Sequence, residues 1–245
     1  MNSSSMISQQ KVGGADLLRS PHEALLPDRR TATTSVFRSD GSVSMVTLED
    51  RYQAISEFVL EESVPNDVRV HFETARNLYL YAWFVYRFFP VAEQYALITL
   101  EFALCERLKP GFPQMFGPDR NRSPGLQVLI QKAKAEQLLS NEGLRSYERA
   151  ALVRARERVS IDVSQQMEAS GLSEMEYDLS DIKTIPEDYV HDALKVLEET
   201  LPYIRNTYAH GSSSLHGAVL GTFEIVADLV NQLFPLSAPQ KLEET

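Results

Sequence analysis

The chain has 245 residues, 24 % of them charged, and a formal net charge of −10. That length allows one large domain with a sizeable core. The acidic balance excludes bulk electrostatic attraction to nucleic acid, so any such contact must rest on a local basic patch. The single cysteine, Cys105, excludes an internal disulfide framework and suits a reducing compartment; in its apolar helical stretch it reads as a small buried hydrophobe.

Residues 1–45 are rich in Ser, Thr and Gly without a sustained apolar period. They are expected to form a mostly disordered leader, with Arg29-Arg30 a solvated part of it. They lack the basic start and apolar run of a secretory signal. Helices follow. Thr47 is placed to cap a helix reaching about Ser63, with Asp50 at the capping-box position. Pro65-Asn66-Asp67 opens a second helix carrying Val68 through Phe89, and Pro90 either kinks it or enters the first turn of the next. The third, Val91 to about Leu108, is apolar over more than half its circumference, as a central helix should be. The most apolar window, Leu78 to Phe89, contains Arg87 and is shorter than the about 20 residues a bilayer span needs. The chain is therefore expected to be cytoplasmic, without a membrane partner.

Pro and Gly punctuate residues 110–125, a predicted long loop. Ser123-Pro124 then reads as N-cap and first residue of a helix to about Leu139. Another helix covers about Leu144 to Ser170, with Gly171 as its stop. Residues 172–188 are acidic and irregular. The penultimate helix runs from about Pro186 to Ala209, interrupted by Pro202, and the last from about Ser214 to Phe234, ahead of a flexible tail over 236–245. No window alternates with period two for long enough to form a strand. The predicted architecture is an all-α helical bundle over residues 46–235 with an extra helical insertion at about 110–185.

Paired cysteines, a His-Glu-x-x-His run, an acidic calcium loop and a glycine-rich phosphate loop are all missing from the sequence, so no metal and no cofactor are expected. One helix is basic: Arg145, Arg149, Arg154, Arg156 and Arg158 outnumber Glu148 and Glu157. These arginines could track RNA phosphates. They could equally form a solvated face paired with Glu148, Glu157 and the acidic 172–188 stretch, which is the commoner fate of a charge run.

The segment Leu201-Pro202-Tyr203-Ile204-Arg205-Asn206-Thr207-Tyr208-Ala209-His210-Gly211 concentrates chemistry at a helix junction. Arg205 can fork onto phosphate oxygens, and His210 can accept or donate a proton near neutrality. Asn206 and His210 are one turn apart and share a face. Arg205 and His210 lie about 140° apart on an ideal helix, so all three converge only where the helix ends, as Gly211 permits. Arg and His also suit a helix C-terminus through the macrodipole, so the residues alone leave site and cap open. Cleavage of RNA by its own 2′-hydroxyl needs a base, an acid and positive charge on the phosphorane. One copy of the segment brings one imidazole and two copies across a two-fold axis bring two, which suggests a homodimer. His216 reads as a solvated helix start.

Arg205-Asn206-x-x-x-His210 resembles the Arg-(4 to 6 residues)-His motif of the HEPN superfamily, whose helical bundle places that motif beside the junction of its last two helices, often followed by Gly. The stretch Glu101-Phe102-Ala103-Leu104-Cys105-Glu106-Arg107 also resembles its early helices. The likeness covers about residues 65–235. It implies a metal-independent endoribonuclease acting as a dimer, in a toxin–antitoxin or other defence setting, with an antitoxin or other protein as partner. Arg205 and His210 would be catalytic and Asn206 supporting. Position 212 is Ser, where the toxin subset has Tyr, and the 110–185 stretch is longer than a minimal HEPN domain needs. The alternative is a noncatalytic module of the same fold that binds a nucleotide, RNA or protein.

Overall fold

The computed structural model describes residues 16–117, 124–178, 181–209 and 215–236. It is 60 % helix and 3 % strand, so the all-α expectation holds. The helices are α1 (Arg29–Ala32), α2 (Leu48–Ser56), α3 (Asn66–Tyr81), α4 (Phe88–Leu108), α5 (Leu126–Ala135), α6 (Arg145–Ser170), α7 (Ala193–Ala209) and α8 (Leu220–Leu233). Two three-residue strands, β1 (Ser35–Phe37) and β2 (Val43–Met45), form an antiparallel hairpin with Val36 opposite Ser44. Sequence patterning could not reveal strands this short.

Helix α4 is the centre and packs against α3, α5, α7 and α8. Ala92, Ala96 and Ala103 let those neighbours approach, while Leu97, Leu100 and Leu104 fill the space between them; all six are fully buried. Phe72 and Tyr79 of α3 meet Phe223 of α8 at ring separations of 6.0 and 5.9 Å, and Tyr79 meets Phe89 at 5.3 Å. By length and composition α4 could cross a membrane, but half of that window is buried inside the bundle.

Thr47 caps α2 through the capping box with Asp50. The helix stops at Ser56 rather than near Ser63, because Phe58 and Val64 turn back into the core. The predicted Val68–Phe89 helix is broken: α3 ends at Tyr81, and Pro90 sits in the first turn of α4. The break is held from outside. The Asp28 N–H donates to Trp83 O at 2.9 Å, the Tyr86 N–H donates to Asp28 Oδ2 at 3.2 Å, and Thr31 Oγ1 donates to Trp83 O at 2.9 Å.

Residues 16–45 therefore do not behave as the disordered leader that composition suggested. Asp28 and Thr31 are buried, and Arg30 pairs with both Asp16 and Asp28 while its guanidinium lies 5.0 Å over the Tyr86 ring. The partners are more than 50 residues away in sequence, so no local period announces them. Residues 1–15 and 237–245 lie outside the described residues.

Burial pushes the Asp28 carboxyl up, but hydrogen bonds from Arg30 and from the Tyr86 N–H outweigh it and hold the group at about 2. The folded pKa lies below the unfolded value. Its stabilisation is therefore present above about pH 4 and is lost as pH falls through about 2, an effect of about 2 kcal/mol. Thermal melts between pH 5 and pH 2 should show this loss, and Asp28→Asn should remove that part of the slope.

The 110–185 stretch is not wholly an appendage. Helix α5 lies within it and buries Leu126, Leu129, Ile130 and Ala133 against α4 and α7. It begins after Gly125 and ends at Ala135, short of Leu139, where Gln137 adopts a left-handed φ of 57°. Ser123, its expected cap, lies outside the described residues. Helix α6 ends as expected at Gly171, with φ of 64°. The predicted Pro186–Ala209 helix is divided into a single 3-10 turn at Pro186–Asp188 and α7, which continues through Pro202. Helix α8 starts at Leu220, later than the expected Ser214.

Candidate functional site

Helix α7 (Ala193–Ala209) carries Arg205, Asn206 and Tyr208 in its last described turns. His210 and Gly211 lie outside the described residues, which resume at Leu215. Arg205 reaches α4, where its Nη2 is 3.2 Å from Glu101 Oε2, and its Nη1 donates to Asn206 Oδ1 at 3.3 Å. Both members of the ion pair are partly exposed, and Asn206 is exposed. Such a pair is worth about 0.2–1 kcal/mol. A phosphate, which takes a guanidinium fork with two charge-assisted bonds, can replace it. Glu101→Gln should therefore tighten binding of a short RNA by about two- to fivefold; fluorescence anisotropy at fixed salt measures it.

Two turns nearer the start of α4, Glu93 is 3 % exposed and lies within an apolar surface. Thr222 Oγ1 of α8 donates to its Oε1 at 2.6 Å, and Tyr208 Oη of α7 donates to its Oε2 at 2.6 Å. His216 Nε2 lies 2.9 Å from the same Tyr208 oxygen and 3.7 Å from Glu93 Oε2. The phenol has one proton, which it donates in its hydrogen bond to the carboxylate; His216 therefore donates its Nε2–H to the Tyr208 oxygen. Burial, and then the hydrogen bond and charge of Glu93, push the Tyr208 hydroxyl above its usual value, so it stays protonated. Glycine at 217 allows the chain beside His216 to pack closely: a Cβ there would meet Tyr86 Oη at 3.3 Å and Phe89 Cε2 at 3.5 Å.

One buried carboxylate thus holds the end of α7, the start of α8 and the chain between them. Reading the sequence missed this cluster and took His216 for a solvated helix start. A signal was available: an acidic residue on the predicted central helix, four residues before Leu97 and eight before Glu101, must find donors once that helix is buried.

Four of the five arginines of the basic helix meet partners within the protein. Arg145 donates from its backbone N–H and its Nε to Asp228, at 2.9 and 2.7 Å. Arg149 forks onto Glu224. Arg154 donates to the Asp188 carbonyl, and Arg158 Nη2 reaches Asp188 Oδ2 at 2.9 Å. Arg156 is exposed. Pairs one turn apart on α6 match acids one turn apart on α8, so Arg145 and Arg149 dock a helix that buries only Ala151 and Ala155 of its own. Asp188 belongs to the acidic 172–188 stretch that was expected to pair with them, while Asp228 and Glu224 stand where Glu148 and Glu157 were expected.

Burial, and then Glu101 and Glu106, push the Cys105 thiol up to about 11, which suits a packing role rather than a nucleophile. Among the described residues no group of three or more His, Cys, Asp or Glu side chains could hold a metal ion. In comparisons with models of protein families, with curated proteins and with solved structures, the chain matches none.

Proposed function

We propose that the chain is a HEPN-type, metal-independent endoribonuclease in which Arg205, Asn206 and His210 form the site, shared across a homodimer. The observation that carries this reading is the placement of Arg205 beside Asn206 on the last described turns of α7, against α4. Arg205 clamps the scissile phosphate and stabilises the phosphorane. His210 moves a proton, and Asn206 orients Arg205 through the contact between them. A toxin or defence role, with a neutralising protein partner, fits an RNA-cleaving activity of this kind. RNA cleavage by the full chain against Arg205→Ala and His210→Ala tests the reading.

One observation favours the second reading, a noncatalytic module of the same fold. Glu101 already pairs with Arg205. In that case RNA or a nucleotide binds at the α4–α7 surface and is released unchanged, and mass spectrometry after long incubation finds only intact ligand.

A further inference from the structure

We propose that the chain pairs with a second copy of itself through a leucine face formed by residues 17–29, beside the turn from α3 to α4. The homodimer of the ribonuclease reading has no assigned face, and this pairing stands whether or not the chain cleaves RNA. The segment is turned inside out. Its polar groups face the protein: Asp28 and Thr31 are buried, and Arg30 lies over the Tyr86 ring. Its leucines face solvent: Leu17, Leu18, Leu25 and Leu26 are 56, 100, 77 and 57 % exposed. A single exposed leucine is ordinary, whereas leucines gathered in one patch mark an interface. The patch is held in place by polar contacts. Arg19 Nη1 donates to Leu26 O at 2.7 Å and its Nη2 lies 3.3 Å from Asp28 Oδ2, which draws the two leucine pairs together. The N–H groups of Glu23 and Ala24 donate to Ser20 O, both at 3.0 Å, and close the turn between those pairs. Asp16 fastens the start, 2.9 Å from both Arg30 Nη2 and Arg87 Nη2. The leucines are thus ordered before any partner arrives, which lowers the cost of docking.

The patch carries its own complement. Leu17, Leu18, Leu26 and Pro27 wall a hollow of about 520 Å³, and Leu25 stands exposed outside that wall. Glu23 and Arg29 also line the hollow. Among the described residues the Arg29 side chain makes no ion pair or hydrogen bond, and the Glu23 carboxylate bonds only its neighbour Ser20. A two-fold axis through the patch sets Leu25 of each subunit into the hollow of the other, and Arg29 of each against Glu23 of the partner subunit. The lining charges balance, Arg19 and Arg29 against Glu23 and Asp28. The face therefore selects neither a polyanion nor a basic partner. It also spares two chains, each with a net charge of −10, the repulsion of like-charged surfaces.

The face lies at a particular end of the bundle. Tyr86, which Arg30 covers, packs beside Gly217, where a Cβ would meet its Oη at 3.3 Å. Gly217 belongs to the chain between α7 and α8, so the leucine face shares an end with the last described turns of α7 and the start of α8. Pairing through it turns those ends of the two subunits toward one another.

Sedimentation velocity of the full chain at physiological salt is the test. At about 10 μM the wild type should sediment with twice the 27.7 kDa mass of one chain. Leu25→Lys places an unpaired charge in the hollow and should weaken the dimer by at least about 100-fold. Its circular dichroism and melting should match the wild-type chain, because Leu25 packs on nothing within its own subunit. Arg29→Glu and Glu23→Arg should each weaken the dimer by about three- to thirtyfold, and the double exchange should return it to within about twofold of wild type. The two side chains are unpaired within one chain, so that recovery requires them to meet across the axis. A wild type that stays monomeric at about 100 μM, including one that floats with phosphatidylcholine vesicles and so gives its leucines to lipid, overturns the inference. So does a double exchange without recovery. A dimer that survives Leu25→Lys overturns it too and leaves the shared ribonuclease site standing, since the copies then meet elsewhere. Monomeric Leu25→Lys that cleaves RNA at the wild-type rate keeps the inference and removes the shared site.

Discussion

His210→Ala should lower the rate of RNA cleavage by about 10²–10⁴-fold, the factor that a general acid or base contributes. Arg205→Ala should fall at least as far. It loses the phosphate clamp and the positive charge opposite the phosphorane, and it leaves Glu101 without its pair. Arg205→Lys separates the two effects: the charge survives and the fork does not, so cleavage should recover only in part. Adding EDTA should leave the wild-type rate unchanged if the reaction uses these side chains alone. Gel analysis of a single-stranded substrate, with product ends identified by mass spectrometry, measures all four. A pure His210→Ala protein that still cleaves at the wild-type rate removes the proposed site.

What could be read from the residues followed what was local. Thr47 with Asp50, Gly171, and the apolar run of α4 act within one or two turns, so the capping box, the stop of α6 and the central helix were all legible. Contacts between distant segments were not. Asp28 closes the turn between α3 and α4 from more than 50 residues away, and nothing near Trp83 or Tyr86 hints at it. Glu93 belongs to the same class, with Tyr208, His216 and Thr222 all more than 100 residues later. The arginines of α6 lie between the two. Their charge was visible, but whether they meet phosphate or protein depended on Glu224 and Asp228, whose i, i+4 spacing on α8 complements theirs. A charged residue shows in sequence that it needs a partner, and only the fold says which.

Phe223→Ala should destabilise the fold by about 3–5 kcal/mol, the cost of emptying a fully buried aromatic site. Phe223 is 0 % exposed and packs against both Phe72 and Tyr79, so neither neighbouring helix can close the cavity without losing its own contacts. For a chain of this size the melting temperature should fall by roughly 10 °C. Phe37→Ala is the control, since that ring is 82 % exposed on the hairpin and its loss should change stability by no more than about 0.5 kcal/mol. The same substitution reports on function, because Phe223 follows Thr222, whose hydroxyl holds Glu93. A cavity there loosens the first turn of α8 and, through Glu93, the Tyr208–His216 contact. Cleavage measured well below the melting temperature should therefore drop further than the unfolded fraction accounts for, with the extra loss in kcat. A loss that follows the unfolded fraction alone would mean that α8 supports the fold but does not hold the end of α7 through Glu93.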